Sequence, residues 1–119
     1  MAFEVTTGAF ATGVQTGTIT VDVPGGSTTF GDLLIAVFES QTGSPGPNLS
    51  DPFWNMTHSS QNTGLAGTSR LSIGLLIADG SEGATQVFTC PATNNHTAGQ
   101  MMKVTGHGAA DVFDIVMGT

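Results

Sequence analysis

Alternation between apolar and polar residues predicts that this chain forms short β-strands. From Thr18 to Val23 the sequence reads T-I-T-V-D-V, and successive side chains of a strand point to opposite faces. Ile19, Val21 and Val23 are therefore expected to share one face. Pro24-Gly25-Gly26 then ends the strand, because proline and glycine interrupt regular pairing.

Other stretches give further strand signals. Leu33 to Phe38 is an unbroken run of apolar residues, which is typical of a central strand buried on both faces. Arg70 to Ala78 alternates between an aliphatic side and a mixed side that includes Ser72 and Gly74. Trp54 and Met56 are predicted to begin one further strand, and three others are predicted at Thr85–Cys90, Met101–Thr105 and Val112–Met117.

Glycine, proline and polar residues separate these strands. Gln41 to Pro52 is predicted to be a loop, Ser59 to Thr68 a second, polar loop, and Asp79 to Gly83 a turn. The first fifteen residues are either a first strand or an arm that reaches a neighbouring molecule. Helix-forming residues are scarce and interrupted by glycine, proline and threonine, so no helix is predicted.

These patterns predict a single all-β domain over residues 1–119. About seven or eight short strands with glycine and proline between them are typical of a sandwich or barrel. Long connections suit strands that cross between two sheets. We therefore expect an antiparallel β-sandwich of jelly-roll type.

Charge in this chain is scarce and one-sided. Charged residues make up 9% of the sequence, and the only basic ones, Lys103 and Arg70, leave a net charge of −7. Nucleic-acid binding requires many lysines and arginines to neutralise phosphates, so the composition excludes that class of protein. Attachment to an anionic membrane is disfavoured for the same reason. The acidity is expected to keep the protein soluble or to complement a basic partner.

Signals for a disulfide or a histidine site are weak. A single cysteine, Cys90, excludes an internal disulfide and is expected to be a small buried apolar residue. His58, His96 and His107 lie far apart in the sequence and are expected to face water from loops. Their convergence on a metal ion is the less favoured alternative.

Two close pairs of carboxylates are Asp79 with Glu82 and Asp111 with Asp114. The first pair lies in a predicted turn without the ligand spacing of a calcium loop. The second flanks a predicted strand, on opposite faces. The chain also lacks the nucleophile-elbow, phosphate-loop and H-E-x-x-H motifs. We therefore expect a protein that is not an enzyme and that has no metal site or cofactor.

Trp54, the only tryptophan, follows Phe53 directly. An exposed pair of aromatic rings can stack on a sugar or contact a partner, so these two residues are candidate contacts. The favoured interpretation of Trp54 is a core residue, because so large a ring contributes much of a domain's buried area.

Three short motifs together resemble a β-sandwich domain of tailed-bacteriophage structural proteins. The first is G-D-L-L-I-A at Gly31–Ala36, which follows a T-x-T-V-x-V-P strand and precedes the loop to Trp54. The others are I-A-D-G-S-E at Ile77–Glu82 and T-x-x-F-T at Thr85–Thr89. Members of that family often carry a tyrosine-rich strand where this chain has Leu75, and this chain has no tyrosine.

The resemblance implies a virion structural protein, with a capsid decoration (cement) protein as the first choice and a minor tail protein close to it. It implies binding to the major capsid protein and a homo-oligomer, with a trimer favoured because it suits the threefold positions of a shell. The expected location is the capsid surface after synthesis in the host cytoplasm, and the N-terminus lacks the features of a signal peptide.

Two alternatives remain open at this point. A carbohydrate-binding or host-recognition module of the same fold predicts that Trp54 or Phe53 is exposed among loops. A tail or baseplate subunit predicts self-assembly into rings or tubes.

Overall fold

The computed structural model describes residues 3–13, 17–41, 54–64, 67–90 and 96–107. Within these ranges the chain forms β-strands and one short 3-10 turn at Pro24–Gly26. The strands are β1 (Glu4–Thr7), β2 (Ala11–Gly13), β3 (Thr18–Asp22), β4 (Leu33–Ser40), β5 (Asn55–Gly64), β6 (Gly67–Ile77), β7 (Thr85–Thr89) and β8 (Thr97–Thr105). Within those ranges no helix has the length and apolarity to cross a membrane. Because the regular elements in those ranges are strands apart from the one 3-10 turn, the expectation of an all-β fold is confirmed.

Six of these strands form the larger of two antiparallel sheets. Its order is β1-β8-β4-β6-β5, and β2 continues alongside β8 beyond the end of β1. Strand β4 is central, since Leu33 to Ser40 pair with β8 on one side and with β6 on the other. This position confirms that β4 is central, but burial on both faces is only partial, because Ile35 and Val37 on the outer face are half-buried.

The smaller sheet consists of β3 and β7, with Thr18 opposite Thr89 and Asp22 opposite Thr85. The predicted alternation in β3 is confirmed, because Ile19 and Val21 are buried while the polar residues between them are exposed. The two sheets enclose one apolar core, as in a β-sandwich. Its members are Ile19, Val21, Val23, Leu34, Ala36, Phe38, Trp54, Leu76, Phe88 and Met101.

Strand β6 turns its mixed side towards the core. Ser72 lies opposite Phe38 and Gly74 opposite Ala36, and all four are buried. The ring of Phe38 has no exposed surface, so it fills the space that a larger residue at position 72 would need. The aliphatic side of β6 therefore faces away from the core between the sheets, although Leu75 on that side is only 1% exposed.

The prediction of a polar loop from Ser59 to Thr68 is wrong. Residues on both sides of position 65 belong to a long hairpin of β5 and β6 that extends to Gly64 opposite Gly67. Serine, threonine and amide residues give no apolar alternation, which is the signal by which strands are predicted. The backbone hydrogen bonds between β5 and β6 form whatever the polarity of the side chains.

Residues 3–13 belong to the sheet, since β1 and β2 both pair with β8. The described part of the first fifteen residues is thus a pair of short strands, not a detached arm. The predicted strand at Val112–Met117, the carboxylate pair Asp111 and Asp114, and the predicted loop beyond Gln41 lie outside the described residues.

Gly99 of β8 is expected to tolerate no side chain. It lies opposite Phe38, and a Cβ atom there would be 2.6 Å from Cδ1 of that ring. Because the ring is enclosed, we expect Gly99→Ala to destabilise the protein by about 1–3 kcal/mol in urea denaturation. The double variant Gly99→Ala/Phe38→Leu should lose less stability than the sum of the single variants, since leucine leaves room for the new methyl group. Strict additivity would contradict this steric explanation.

Candidate interaction site at the Phe30 turn

Five large apolar side chains are exposed among the described residues. They are Phe3 (66%), Val5 (50%), Phe10 (67%), Phe30 (86%) and Leu71 (40%). Single exposed apolar residues are common on protein surfaces and need no special role. Phe30 differs because it is the most exposed of the five and because several hydrogen bonds hold the backbone around it.

Phe30 lies in a turn from Thr29 to Asp32 that is closed by two reciprocal bonds. The Thr29 N–H donates to Oδ2 of Asp32 at 2.9 Å, and the Asp32 N–H donates to the Thr29 carbonyl at 3.1 Å. Gly31 supplies the positive φ of 88° that the turn requires. Asp32 is only 5% exposed, so its carboxylate fastens the turn from the protein side.

Three further bonds attach this turn to the ends of β6 and β8. The Gly31 N–H donates to the Ala78 carbonyl at 2.9 Å, and the Ala78 N–H donates to the Asp32 carbonyl at 2.7 Å. Nε2 of His107, just beyond β8, lies 2.7 Å from the Gly31 carbonyl oxygen, which accepts its proton. The backbone that carries Phe30 is therefore fixed to the ends of the two strands that flank β4.

The carboxylate of Glu82 joins the Phe30 turn to the loop that follows β6. Oε1 accepts the N–H of Asp79 at 2.7 Å, and Oε2 accepts the N–H of Gly80 at 3.1 Å. Oε2 also accepts the hydroxyl of Thr28, two residues before Phe30. The Glu82 side chain thus closes the loop after β6 and holds that loop against the segment that leads into the Phe30 turn.

Asp79 stabilises the same loop from the outside. Its Oδ1 accepts the hydroxyl of Ser81 at 2.5 Å and the N–H of Ser81 at 2.8 Å. These two bonds lower the pKa of the Asp79 carboxyl from its ordinary value, and the bond from the Ser81 hydroxyl has the larger effect. The predicted turn at Asp79–Gly83 is confirmed, and its carboxylates are engaged by the chain's own donors.

The tryptophan predicted as a candidate contact lies inside the protein. Trp54 is 6% exposed, and its ring packs edge-on against Phe88 at a centroid distance of 5.1 Å. Its Nε1–H donates to Oε1 of Gln86 at 3.3 Å. A ring buried in this way offers no face to a sugar, so the candidate contact at Trp54 is wrong and its favoured interpretation as a core residue is confirmed. Phe53 lies outside the described residues.

The structure does not bring the described histidines together. His96 precedes β8 and contacts Oε2 of Glu39 at 2.9 Å, whereas His107 follows β8. A strand rises about 3.3 Å per residue, so the length of β8 separates the two histidines by roughly 25 Å or more. For His58 only the backbone pairing with Ile73 is described. Across the described ranges, no three His, Cys, Asp or Glu side chains are grouped so as to hold a metal ion.

Cys90 packs against the edge of the core and is half-buried. Burial raises the pKa of its thiol, and a hydrogen bond with Thr97 opposes that shift. A thiol with a raised pKa is mostly protonated at neutral pH and is a poor nucleophile. The residue therefore acts as a small packing group, as its sequence position indicates.

Sequence reasoning did not single out Phe30. The available signal was T-F-G-D at residues 29–32, in which glycine and aspartate stand where a tight turn places a positive φ and a side-chain acceptor. Such a pattern predicts a turn that exposes the residue before the glycine. The partner of Thr28, Glu82, lies 54 positions away, and no local pattern reveals it.

Comparisons with known proteins give no match: no family model fits the chain, and neither a curated protein nor a solved structure resembles it significantly.

Removing the charge of Glu82 is expected to loosen the Phe30 turn. Hydrogen bonds to charged groups each contribute about 1.5–3 kcal/mol, and partial exposure reduces that contribution. We expect Glu82→Gln to lower the free energy of unfolding by about 1–2 kcal/mol in urea denaturation. Glu39→Gln is the matched control, because it breaks only a surface pair with His96 and should change stability by less than about 1 kcal/mol. Equal effects of the two variants would contradict a bracing role for Glu82.

Acid is expected to release the Asp79–Ser81 bonds. The pKa of Asp79 is lower in the folded protein than the ordinary value of 3.8 for an aspartate. The bonds are therefore complete above that value and are lost as the pH falls through the folded pKa. The amide proton of Ser81 should titrate with a midpoint below 3.8 in NMR spectra, and the titration should disappear in Asp79→Asn. A midpoint at or above 3.8 would contradict the assignment.

Proposed function

We propose that this chain is a structural protein of a tailed-phage particle, with capsid decoration as its role. In this proposal it binds the assembled shell through the Phe30 turn and stabilises the shell. The observation that carries the proposal is an aromatic side chain with 86% of its surface exposed on a turn braced from two sides. The resemblance of the Gly31–Ala36, Ile77–Glu82 and Thr85–Thr89 motifs to phage structural proteins supplies the kind of partner.

A braced aromatic residue suits docking for energetic reasons. Binding energy in protein interfaces is concentrated in a few anchors, often aromatic, that fill pockets in the partner. Ordering a flexible loop on binding costs free energy, and a loop that is already ordered avoids that cost. The bonds from Asp32, Ala78 and Glu82 hold the loops around Phe30 before any partner arrives. The proposed anchor is therefore preorganised.

The charge of the chain supports the same role. A net charge of −7 favours a basic surface on the partner and keeps the protein away from packaged DNA. Lys103, one of the two basic residues, donates from Nζ to the Ser27 carbonyl at 2.8 Å. Its side chain thus contributes to the loop that leads to Phe30.

Stabilisation would follow from selective binding. A protein that binds only the assembled shell adds its binding free energy to the stability of that state. Many copies bound side by side would multiply the effect through multivalency. We propose the major capsid protein as the partner.

We also propose that the fold is of jelly-roll type, and the order of pairing supports it. The first strand pairs with the last, β3 with β7, and β4 with β6. These pairs are nested in the sequence, and successive pairs alternate between the two sheets. A jelly roll is built from nested antiparallel pairs of this kind.

The proposal predicts that Phe30→Ser abolishes attachment to the shell without unfolding the protein. The test is co-sedimentation with capsids of the encoding phage from which accessory proteins have been stripped. Loss of an anchor residue costs about 2 kcal/mol or more, so we expect the affinity to fall at least about thirtyfold. The unfolding midpoint should remain unchanged, since the ring contacts solvent.

Leu71→Ser is the matched control, because it removes an exposed apolar side chain from β6 and should leave the affinity unchanged. A wild-type protein that ignores the capsids but binds a host polysaccharide column would contradict capsid decoration and favour host recognition. Equal losses for Phe30→Ser and Leu71→Ser would contradict the assignment of Phe30 as the anchor.

A further inference from the structure

Asp79 and Gly80 form the only Asp-Gly or Asn-Gly pair in the sequence. Such a pair is prone to a rearrangement in which the nitrogen of the second residue attacks the side-chain carboxyl carbon of the first. Glycine favours the attack because it has no Cβ atom to obstruct it. Both residues are exposed in the loop after β6. The pair therefore has the chemistry and the access to water that the rearrangement requires.

The rearrangement needs no reactant other than water, and nothing is oxidised or reduced. A bond forms between N of Gly80 and Cγ of Asp79, and the hydroxyl of the protonated carboxyl leaves as water with the amide proton. A second water molecule then opens the resulting succinimide ring at the backbone carbonyl of Asp79. The product is isoaspartate, in which the main chain runs through Cβ and Cγ and is longer by one methylene group.

The conformation of the loop requires the glycine that makes Asp79 reactive. Gly80 has a φ of 94°, in the left-handed region that residues with a Cβ atom rarely adopt. A Cβ atom built on Gly80 would be 3.6 Å from the backbone nitrogen of Phe30, so the loop lies directly against the Phe30 turn. A larger residue would slow the rearrangement but would strain this loop.

The carboxylate of Glu82 holds both ends of the torsion that ring closure must change. The succinimide ring needs a ψ of about −120° at Asp79, which lies outside the ordinary regions for residues with a Cβ atom. This torsion connects the nitrogens of Asp79 and Gly80, whose N–H groups donate to Oε1 and Oε2 of Glu82 at 2.7 and 3.1 Å. Rotation into the reactive conformation therefore breaks at least one of these bonds.

Glu82 is itself held in place. Its Oε2 accepts the hydroxyl of Thr28, and its backbone carbonyl accepts a hydrogen bond from Nε2 of Gln86 at 2.6 Å. A carboxylate is far too weak a base to remove the proton from a peptide N–H. The bond from Gly80 to Glu82 therefore stabilises the unreacted amide.

Ser81 opposes the reaction at the carboxyl group. Its hydroxyl and its N–H both donate to Oδ1 of Asp79, at 2.5 and 2.8 Å. These bonds favour the ionised carboxylate and lower the pKa of Asp79. A smaller fraction of the carboxyl then carries the proton with which its oxygen leaves as water.

We propose that Asp79–Gly80 is a site of spontaneous isoaspartate formation and that the Glu82 carboxylate suppresses the reaction in the folded protein. The added methylene group would change the spacing between Ala78 and Glu82. Isoaspartate would thereby remove the support that Glu82 gives to the segment before Phe30. The modification is independent of shell binding.

The first test compares the folded wild-type protein with the same chain unfolded in guanidinium chloride, at one mildly acidic pH and one temperature. After incubation, trypsin should release residues 71–103 as one peptide, because Arg70 and Lys103 are the only basic residues of the chain. Asp79 is the only aspartate in that peptide, and electron-transfer fragmentation measures its conversion to isoaspartate. We expect the conversion to be at least severalfold slower in the folded protein.

Three variants separate the loop from global stability. Glu82→Ala removes both acceptor oxygens and should accelerate the folded-state reaction severalfold, towards the unfolded rate. Ser81→Ala removes only the hydroxyl bond to Asp79 and should give a smaller acceleration. Gly99→Ala is the matched control, because it weakens the core but leaves this loop unchanged, and it should keep the wild-type rate. Each folded rate is divided by the rate of the same variant in guanidinium chloride.

Four results would overturn the proposal. Equal rates in the folded and unfolded wild type would mean that the loop gives no protection. Equal acceleration by Glu82→Ala and Gly99→Ala would trace the reaction to global unfolding. A slower reaction in Glu82→Ala would make Glu82 a base that promotes ring closure. Absence of isoaspartate at position 79 in the unfolded chain would remove the site itself.

Discussion

The position of the smaller sheet depends on contacts among three aromatic rings. Phe88 of β7 packs edge-on against Phe38 of β4 at 4.6 Å and against Trp54 at 5.1 Å. Both contacts have the inclined geometry that aromatic pairs favour, and each such pair contributes about 0.5–1.5 kcal/mol beyond its buried area. Because an isolated two-stranded sheet is marginally stable, β3 and β7 rely on this packing for their place over the larger sheet.

The same packing positions the candidate interaction site. The connection from β3 to β4 and the connection from β6 to β7 both cross between the sheets at one end of the sandwich. Phe30 lies in the first connection and Glu82 in the second, and the bond between Glu82 and Thr28 ties the two together. A rigid exposed residue at this end therefore requires that the sheets keep their relative position.

Local pattern predicted much of the strand arrangement and little of the site. Alternation identified β3, and the apolar run identified β4 as central, because burial leaves a direct trace in side-chain polarity. Local pattern did not reveal which side of β6 faces the core. Ser72 and Gly74 face inwards because Phe38 and Ala36 lie opposite them. The bracing of Phe30 was also hidden, because it depends on residues more than 40 positions away, such as Ala78 and Glu82.

Nested pairing has a consequence for how the chain is made. Glu4 pairs with Thr105, so β1 waits for its partner β8 until about a hundred more residues have been translated. At roughly 5–20 residues per second, that interval is about 5–20 s. The backbone N–H and C=O groups with which β1 pairs to β8 are open to other molecules throughout it. Chaperone capture during this interval, more than the final stability of the sandwich, would then govern how much native protein a cell accumulates.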